Sequence, residues 1–175
     1  MMISMPVSVS ALPDHHSTVS SLKELNMNIK LAIKHDKDQI PTVGKLLSNL
    51  CSIGNLEAEL SVNEIELAIV ELLNNIINYS ENTPSGSWIT IHVRLTDTSL
   101  KVVVSDRGDA LCSELAGLYT DKTVSMPTLD IGVAELPESG WGIQLIKSAC
   151  DDVSYRRSGQ TNLYELTFDL ASLAV

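Results

Sequence analysis

A polar stripe runs along an otherwise apolar, helix-forming stretch between residues 61 and 79. At ~100° per residue, Glu64, Glu71, Asn75 and Asn78 fall within about 60° of one another around a helix. The stretch contains no Lys or Arg, whereas the broad polar face of an ordinary surface helix carries charges of both signs. The stripe is therefore either a thin solvated edge or the lining of a pocket whose ligand satisfies these groups.

The chemistry of the stripe favours the pocket. Mg²⁺ binds hard oxygen ligands and often takes only one or two of them from protein, while phosphates and water supply the rest. The amide oxygen of Asn75 would suffice for such an ion. Glu71, one turn earlier, would then stand beside the bound phosphates, where a carboxylate can orient or deprotonate an attacking hydroxyl. Asn78 lies on the same stripe and is predicted to contact the same ligand.

A second group of residues follows the apolar run Leu100 to Ser105. Asp106 comes at the end of this predicted strand, where its carboxylate can accept hydrogen bonds from an exocyclic amine such as that of adenine. Gly108 would let a ligand approach the backbone closely. A plain Asp-x-Gly turn is the alternative interpretation.

A third group, Gly140-Trp141-Gly142-Ile143, ends an irregular region and opens a helix. The first N–H groups of a helix are unpaired and lie at its positive end, where phosphates bind. The motif is not a G-x-x-x-x-G-K-[ST] loop, and its surroundings lack the parallel βαβ repeat that a Rossmann interpretation requires.

The periodicity of apolar residues predicts which elements hold these groups. A capping box, Ser61-Val62-Asn63-Glu64, predicts the start of a long helix at residue 62. We predict strands at 26–33, 88–95, 100–105, 153–157 and 163–170, and helices from 41 to about 51, at 62–79 and at 143–150. This interleaving predicts an α+β two-layer sandwich, with helices on one face of a mixed, mostly antiparallel sheet.

The chain divides into an extension and one domain. Residues 1–25 lack periodicity and are predicted to be a loosely ordered extension, followed by a single domain over 26–175. Residues 109 to about 139 form a long irregular connection, which is predicted to be a lid and has room for a short helix near 111–119.

Composition limits the classes of partner. The net charge of −10 opposes direct binding of nucleic acid. Cys51, Cys112 and Cys150 are far apart, and His15-His16 alone does not complete a site, so neither zinc nor a disulfide framework is indicated. No apolar run reaches the ~18 residues of a membrane span, and the N-terminus lacks the features of a secretory signal. We therefore predict a cytoplasmic protein.

Three motifs in a fixed order resemble the three boxes of the GHKL ATPases: Glu-Leu-Leu-Asn-Asn (71–75), Asp-Arg-Gly (106–108) and Gly-Trp-Gly-Ile (140–143). The resemblance covers about residues 28–170, and the C-terminal part looks most like the anti-sigma-factor serine kinases. It implies bound ATP and Mg²⁺ with these roles: Glu71 as catalytic base, Asn75 as Mg²⁺ ligand, Asp106 as the adenine-recognising carboxylate, Gly108, Gly140 and Gly142 as nucleotide-loop glycines, and Thr161 as an adenine contact.

The resemblance also implies a function. Such kinases phosphorylate a Ser or Thr of an anti-anti-sigma protein with a STAS-type fold and sequester a sigma factor, often as homodimers. Two alternatives remain open: a nucleotide-binding module that captures its partner without phosphotransfer, and the detached ATP-binding domain of a sensor histidine kinase. The latter is disfavoured because residues 1–25 contain no helical hairpin with a phosphorylatable His. The chain departs from the pattern at Tyr79, Asp109 and Glu138, where relatives often carry His, a small residue and a basic residue.

Overall fold

The computed structural model describes residues 25–53, 59–79, 83, 86–121 and 141–170. The predicted extension lies outside them apart from Leu25, and so do residues 122–139 of the predicted lid. The elements in chain order are β1 (Asn26–Lys34), a 3₁₀ turn (Lys37–Gln39), α1 (Ile40–Ile53), α2 (Glu59–Tyr79), β2 (Trp88–Thr96), β3 (Ser99–Asp106), α3 (Ser113–Thr120), α4 (Trp141–Ala149), β4 (Asp152–Ser158) and β5 (Thr161–Asp169).

The strands form one open sheet in the order β1-β2-β3-β5-β4. Each neighbouring pair is antiparallel, so the described strands contain no parallel pairing. The predicted α+β class is confirmed. The described sheet is more uniform than the mixed, mostly antiparallel sheet we predicted, because all four of its strand pairings are antiparallel.

One face of the sheet is covered, since side chains alternate between the two faces of a strand. On β3, Leu100, Val102 and Val104 are buried, and the residues between them are only partly covered. The apolar face of α2 belongs to the same core and buries Ile65, Ala68, Ile69, Leu72, Leu73 and Ile76. Burying each of the Ile and Leu side chains contributes about 1.5–3 kcal/mol, which makes the core that this helix shares with the sheet a major source of stability.

The antiparallel register brings an end of each of the five described strands to one edge of the sheet. Lys34 at the end of β1 pairs with Trp88 at the start of β2. Asp106, the last residue of β3, pairs with Asn162 near the start of β5. The two-residue turn before β5 contains Gly159 at a φ of 59°, a backbone conformation that glycine adopts without steric cost. Asp106 therefore emerges at an edge that β1, β2, β4 and β5 also reach.

Two helix starts differ from prediction. α2 begins at Glu59, so the prediction that a capping box at Ser61 starts the helix at residue 62 is wrong. Glu59 and Leu60 are good helix formers, and they extend the helix upstream of the motif. α4 begins at Trp141, which places Gly142 inside its first turn. A short helix in the long connection is confirmed as α3. No helix in the described residues combines the length and hydrophobicity needed to cross a membrane.

Candidate nucleotide-binding site

The structure brings Gly142 against the polar stripe of α2. Glu71 and Asn75 are half-buried on this helix. A Cβ atom placed on Gly142 would lie 3.0 Å from Glu71 Oε2 and 3.2 Å from both Asn75 Nδ2 and Asn75 Oδ1. Real Cβ atoms rarely come so close to other atoms, so only glycine lets α4 approach these side chains without displacing them.

The first turn of α4 therefore meets a carboxylate and an amide. Its leading N–H groups have no partner within the helix, and they carry the positive end of the helix dipole. The side chain of Ile143 is buried in the core together with Ile146, which leaves the main chain of Ile143 for any ligand contact. Gly140 and the side chain of Trp141 lie outside the described residues. Asn78, near the end of α2, is exposed.

Asn75 also contacts an aromatic cluster. Burial raises the pKa of Tyr119 to about 12, and a hydrogen bond to the Asn75 side chain acts against that rise. The Tyr119 ring meets the Tyr164 ring edge-on, with 5.5 Å between centroids, and Tyr155 lies 5.1 Å from Tyr164. Tyr119 was not predicted as a site residue, because its position in an irregular connection carries no periodic signal.

Asp106 is the buried acid of the site, with 3% of its surface exposed. Its Oδ1 accepts hydrogen bonds from Gly108 N at 2.6 Å and from Asn162 Nδ2 at 3.1 Å. Its Oδ2 is buried and has no hydrogen-bond partner within the described part of the chain. A buried carboxylate oxygen without a donor is costly, so this atom marks a place where a ligand N–H would be stabilising.

The charge state of Asp106 reflects opposing effects. Desolvation by burial raises the pKa of this carboxyl above its usual range. The hydrogen bonds from Gly108 and Asn162 lower the pKa, and so do the nearby charges of His35 and Arg157. The protein therefore surrounds a costly buried carboxylate with donors and positive groups that favour its ionised, hydrogen-bond-accepting form.

Asn162 is the residue that sequence reasoning missed. Thr161 was predicted to contact adenine, but side chains alternate along β5, and the buried residue beside Asp106 is Asn162. The signal was available, because Asn162 is the polar member of an inward-facing series that continues with Tyr164 and Leu166. The contact of Thr161 with a base stays a prediction.

Thr161 lines a separate cleft of about 500 Å³ at the same edge of the sheet. Thr90 and Ser105 are half-buried between inward-facing neighbours, so their side chains lie on the sheet face opposite the helices. The cleft is lined by Gly86, Ser87, Trp88, Thr90, Ser105, Asp106, Arg107 and Thr161. Of the residues predicted to bind the nucleotide, Asp106 and Thr161 line this cleft.

The structure thus assembles two ends of a site. Glu71, Asn75 and Gly142 form one end, and Asp106 with Gly108 forms the other. The rings of Tyr119 and Tyr164 lie between them: Tyr119 bonds to Asn75, and burial followed by the nearby charge of Asp106 raises the pKa of Tyr164. Among the described residues, no three His, Cys, Asp or Glu side chains cluster as a metal site. A cation at Asn75 would therefore depend on ligand oxygens for most of its coordination.

Several known proteins are similar to this chain. A family model described as a histidine kinase-like ATPase domain matches residues 33–168. Serine-protein kinase RsbW from Staphylococcus aureus strains JH9 and Newman is 30% identical over 103 residues, which cover 57% of this chain and 62% of the relative. The chain thus matches less than two thirds of the length of these relatives.

A solved structure shares the fold. The crystal structure of the RsbU and RsbW domains of Rv1364c from Mycobacterium tuberculosis superposes with a TM-score of 0.55 and 16% identity, covering 82% of this chain and 32% of that one. The family match spans most of the chain and confirms the resemblance to GHKL ATPases that the three motifs indicated. The chain belongs to the family of histidine kinase-like ATPase domains.

Proposed function

We propose that this chain binds ATP with Mg²⁺ and transfers the γ-phosphoryl group to a Ser or Thr hydroxyl of a protein partner. The observation that carries the proposal is the close approach of Gly142 to Glu71 and Asn75. This approach sets a helix N-terminus, a carboxylate and an amide oxygen side by side, as a triphosphate with its cation requires. Similarity to serine-protein kinases supports the same reaction.

Asp106 would hold the adenine. Its free Oδ2 can accept a hydrogen bond from the 6-amino group, and Gly108 keeps the adjoining backbone compact. Adenine offers this donor, whereas guanine presents a carbonyl oxygen at the same position. In its ionised form this carboxylate would therefore select the adenine base.

Glu71 would act on the attacking hydroxyl. A carboxylate at this position can orient the hydroxyl and accept its proton. Asn75 would supply one oxygen ligand to Mg²⁺, and the bound ion would neutralise charge on the phosphate oxygens. Gly140, Trp141, Gly142 and Ile143 would contribute main-chain N–H groups to the phosphates. Asn78 and Thr161 complete the set of nucleotide contacts that we propose.

The proposed partner is a protein. Relatives named as serine-protein kinases support a Ser-bearing substrate, and we propose a STAS-type anti-anti-sigma protein. A sigma factor would be the regulator that the chain sequesters, with the chain acting as a homodimer. Because the net charge is −10, control of transcription would pass through these proteins rather than through DNA. The cytoplasm, which supplies ATP and Mg²⁺, is the compartment that fits.

Calorimetric titration with Mg-ATP, followed by transfer of labelled phosphate to a STAS-domain protein, tests the proposal. We expect Glu71→Gln to retain nucleotide binding and to lose transfer by roughly 100-fold or more, the usual scale for removing a general base. Glu66→Gln is the matched control on the same helix, since Glu66 contacts α1 at Gly44 instead. Equal transfer by wild type and Glu71→Gln would refute the mechanism, and binding with no transfer by either would indicate capture without catalysis.

A further inference from the structure

A hydrogen-bonded network surrounds the side-chain amide of Asn162, which is 1% exposed. Its Nδ2 donates to Asp106 Oδ1 at 3.1 Å and to the carbonyl oxygen of Asp109 at 2.8 Å. Its Oδ1 accepts from Arg157 Nη1 at 2.7 Å and from Tyr155 Oη at 2.9 Å. Every hydrogen-bonding position of the amide group is engaged, so Asn162 has no capacity left for a ligand.

The network fixes which way the amide faces. Arg157 can only donate, so the atom of Asn162 that it contacts must be the oxygen. The nitrogen must then face Asp106. Arg157 Nη1 also donates to the carbonyl oxygen of Gly108 at 3.0 Å, and Tyr155 Oη accepts from Leu111 N at 3.1 Å. The β4–β5 hairpin thereby holds both the carboxylate and the loop that follows it.

We propose that Asn162 is a positioning residue for adenine recognition: it occupies Asp106 Oδ1 and thereby presents Oδ2, the buried oxygen without a protein partner, to the 6-amino group of the base. This inference rests on the proposed function. Asn162 acts through Asp106 and touches no nucleotide. The discrimination between a purine with a 6-amino group and one without it depends on the Asn162 donor.

The surroundings of Asp106 support an acceptor role. Arg157 from β4 and His35, which directly follows β1, are the charged groups that favour the carboxylate. Tyr164 from β5 and Tyr155 from β4 are the other titratable groups on the inward side of the adjoining strands. Within this group, Asn162 is the side chain that donates directly to the carboxylate.

Asn162→Asp is the sharpest test, because it keeps the shape and the oxygen that Arg157 and Tyr155 contact. It replaces the donor that faces Asp106 by a carboxylate oxygen. Two carboxylates at this distance repel each other when both are ionised and share a proton as the pH falls. The shared proton would recreate a donor to Asp106 Oδ1. A side chain without polar atoms, as in Asn162→Leu, offers no such recovery.

The experiment measures the dissociation constants of Mg-ATP and of purine riboside triphosphate, which lacks the 6-amino group, by calorimetry between pH 5.5 and 8. At pH 8 we expect Asn162→Asp to weaken ATP binding by roughly 10- to 100-fold, the scale of a hydrogen bond to a charged group. We expect little change for purine riboside triphosphate. Affinity for ATP should recover toward pH 5.5 in Asn162→Asp and not in Asn162→Leu.

Controls separate positioning from folding and from charge. Asn49→Asp makes the same substitution at an exposed site on α1 and should change neither constant. If Asn162→Asp does not fold, Tyr155→Phe removes one donor to the amide and should weaken ATP selectively by a smaller factor. Wild type that fails to bind ATP would refute the proposed function. If the wild type prefers ATP but the Asn162 variants lose affinity for both nucleotides equally, or for neither, the positioning role of Asn162 is refuted and the proposed function stands.

Discussion

Replacement of Gly142 by alanine should separate the stability of this protein from its proposed activity. The added methyl group would lie 3.0 Å from Glu71 Oε2 and 3.2 Å from the two terminal atoms of Asn75. Contacts of this length force the neighbours to move by a few tenths of an ångström. Both neighbours are half-buried side chains rather than backbone, so they can move without disrupting the core.

Two effects of opposite sign act on stability. Alanine is favoured over glycine inside a helix by about 0.5–1 kcal/mol. The displaced side chains offset part of this gain, so we expect the free energy of unfolding to change by less than about 1 kcal/mol. Activity has no such compensation. Because a misplacement of ~1 Å can cost about 100-fold in rate, a shift of a few tenths should slow phosphoryl transfer by roughly 5- to 10-fold.

Urea denaturation and single-turnover transfer from Mg-ATP measure the two quantities. Gly117→Ala is the matched control, since it lies in α3 and a Cβ there would have no atom within 4 Å. The control should gain stability and retain activity. A Gly142→Ala protein with unchanged transfer, or one destabilised by several kcal/mol, would show that the contact among Gly142, Glu71 and Asn75 is not the one described.

Other substitutions test the remaining parts of the site and the core. Asp106→Asn should weaken Mg-ATP binding by about 10- to 100-fold, which calorimetry measures. The same substitution should raise stability near pH 7, because the raised pKa of Asp106 means that the wild type loses stability as the pH rises from 3.8 through the folded-state pKa. Urea denaturation at pH 3 and pH 7 checks this second effect. A stability advantage that persists at pH 3 would contradict the linkage. Leu72→Ala should cost about 2–5 kcal/mol because Leu72 is fully buried, whereas Leu67→Ala at an exposed position of the same helix should cost less than about 0.5 kcal/mol in urea denaturation. Burial raises the pKa of Cys51 to about 11, so at pH 8 a thiol reagent should modify exposed Cys112 well before Cys51, as peptide mass spectrometry can follow.

The sequence predicted the parts of the site that depend on local pattern. Strand alternation and helical spacing place Glu71, Asn75 and Asp106 correctly on their elements. The apolar residues that must be buried fix which face of each helix or strand points into the core, and the polar residues follow from that. The order of the three motifs then identified the family. The predicted start of α2 was wrong because a capping motif is only one of several ways to begin a helix. Residues upstream of Ser61 also favour the helical conformation.

Residues that act through non-local contacts were harder to find. Asn162 reaches Asp106 across paired strands that are 56 positions apart in the chain, and Tyr119 reaches Asn75 from a segment without periodicity. Spacing along the chain does not show which residue is the partner in either contact. Alternation alone could have shown that Asn162, rather than Thr161, shares the buried face with Tyr164. A shift of one residue in the register of β5 would decide which of these two side chains meets the carboxylate.

The two ends of the site are held by different kinds of interaction. Hydrogen bonds from the β4–β5 hairpin hold the Asp106 end, and packing of α4 against α2 holds the Gly142 end. Described contacts join them in one series from Asp106 through Asn162 to Tyr155, and then through the rings of Tyr164 and Tyr119 to Asn75. Each link is a close contact of a buried or half-buried side chain, and packed interiors transmit strain because they leave little free volume. A ligand that engages Asp106 would therefore meet a set of packed side chains that reaches Asn75, so the proposed base and phosphate ends of the site share one series of contacts.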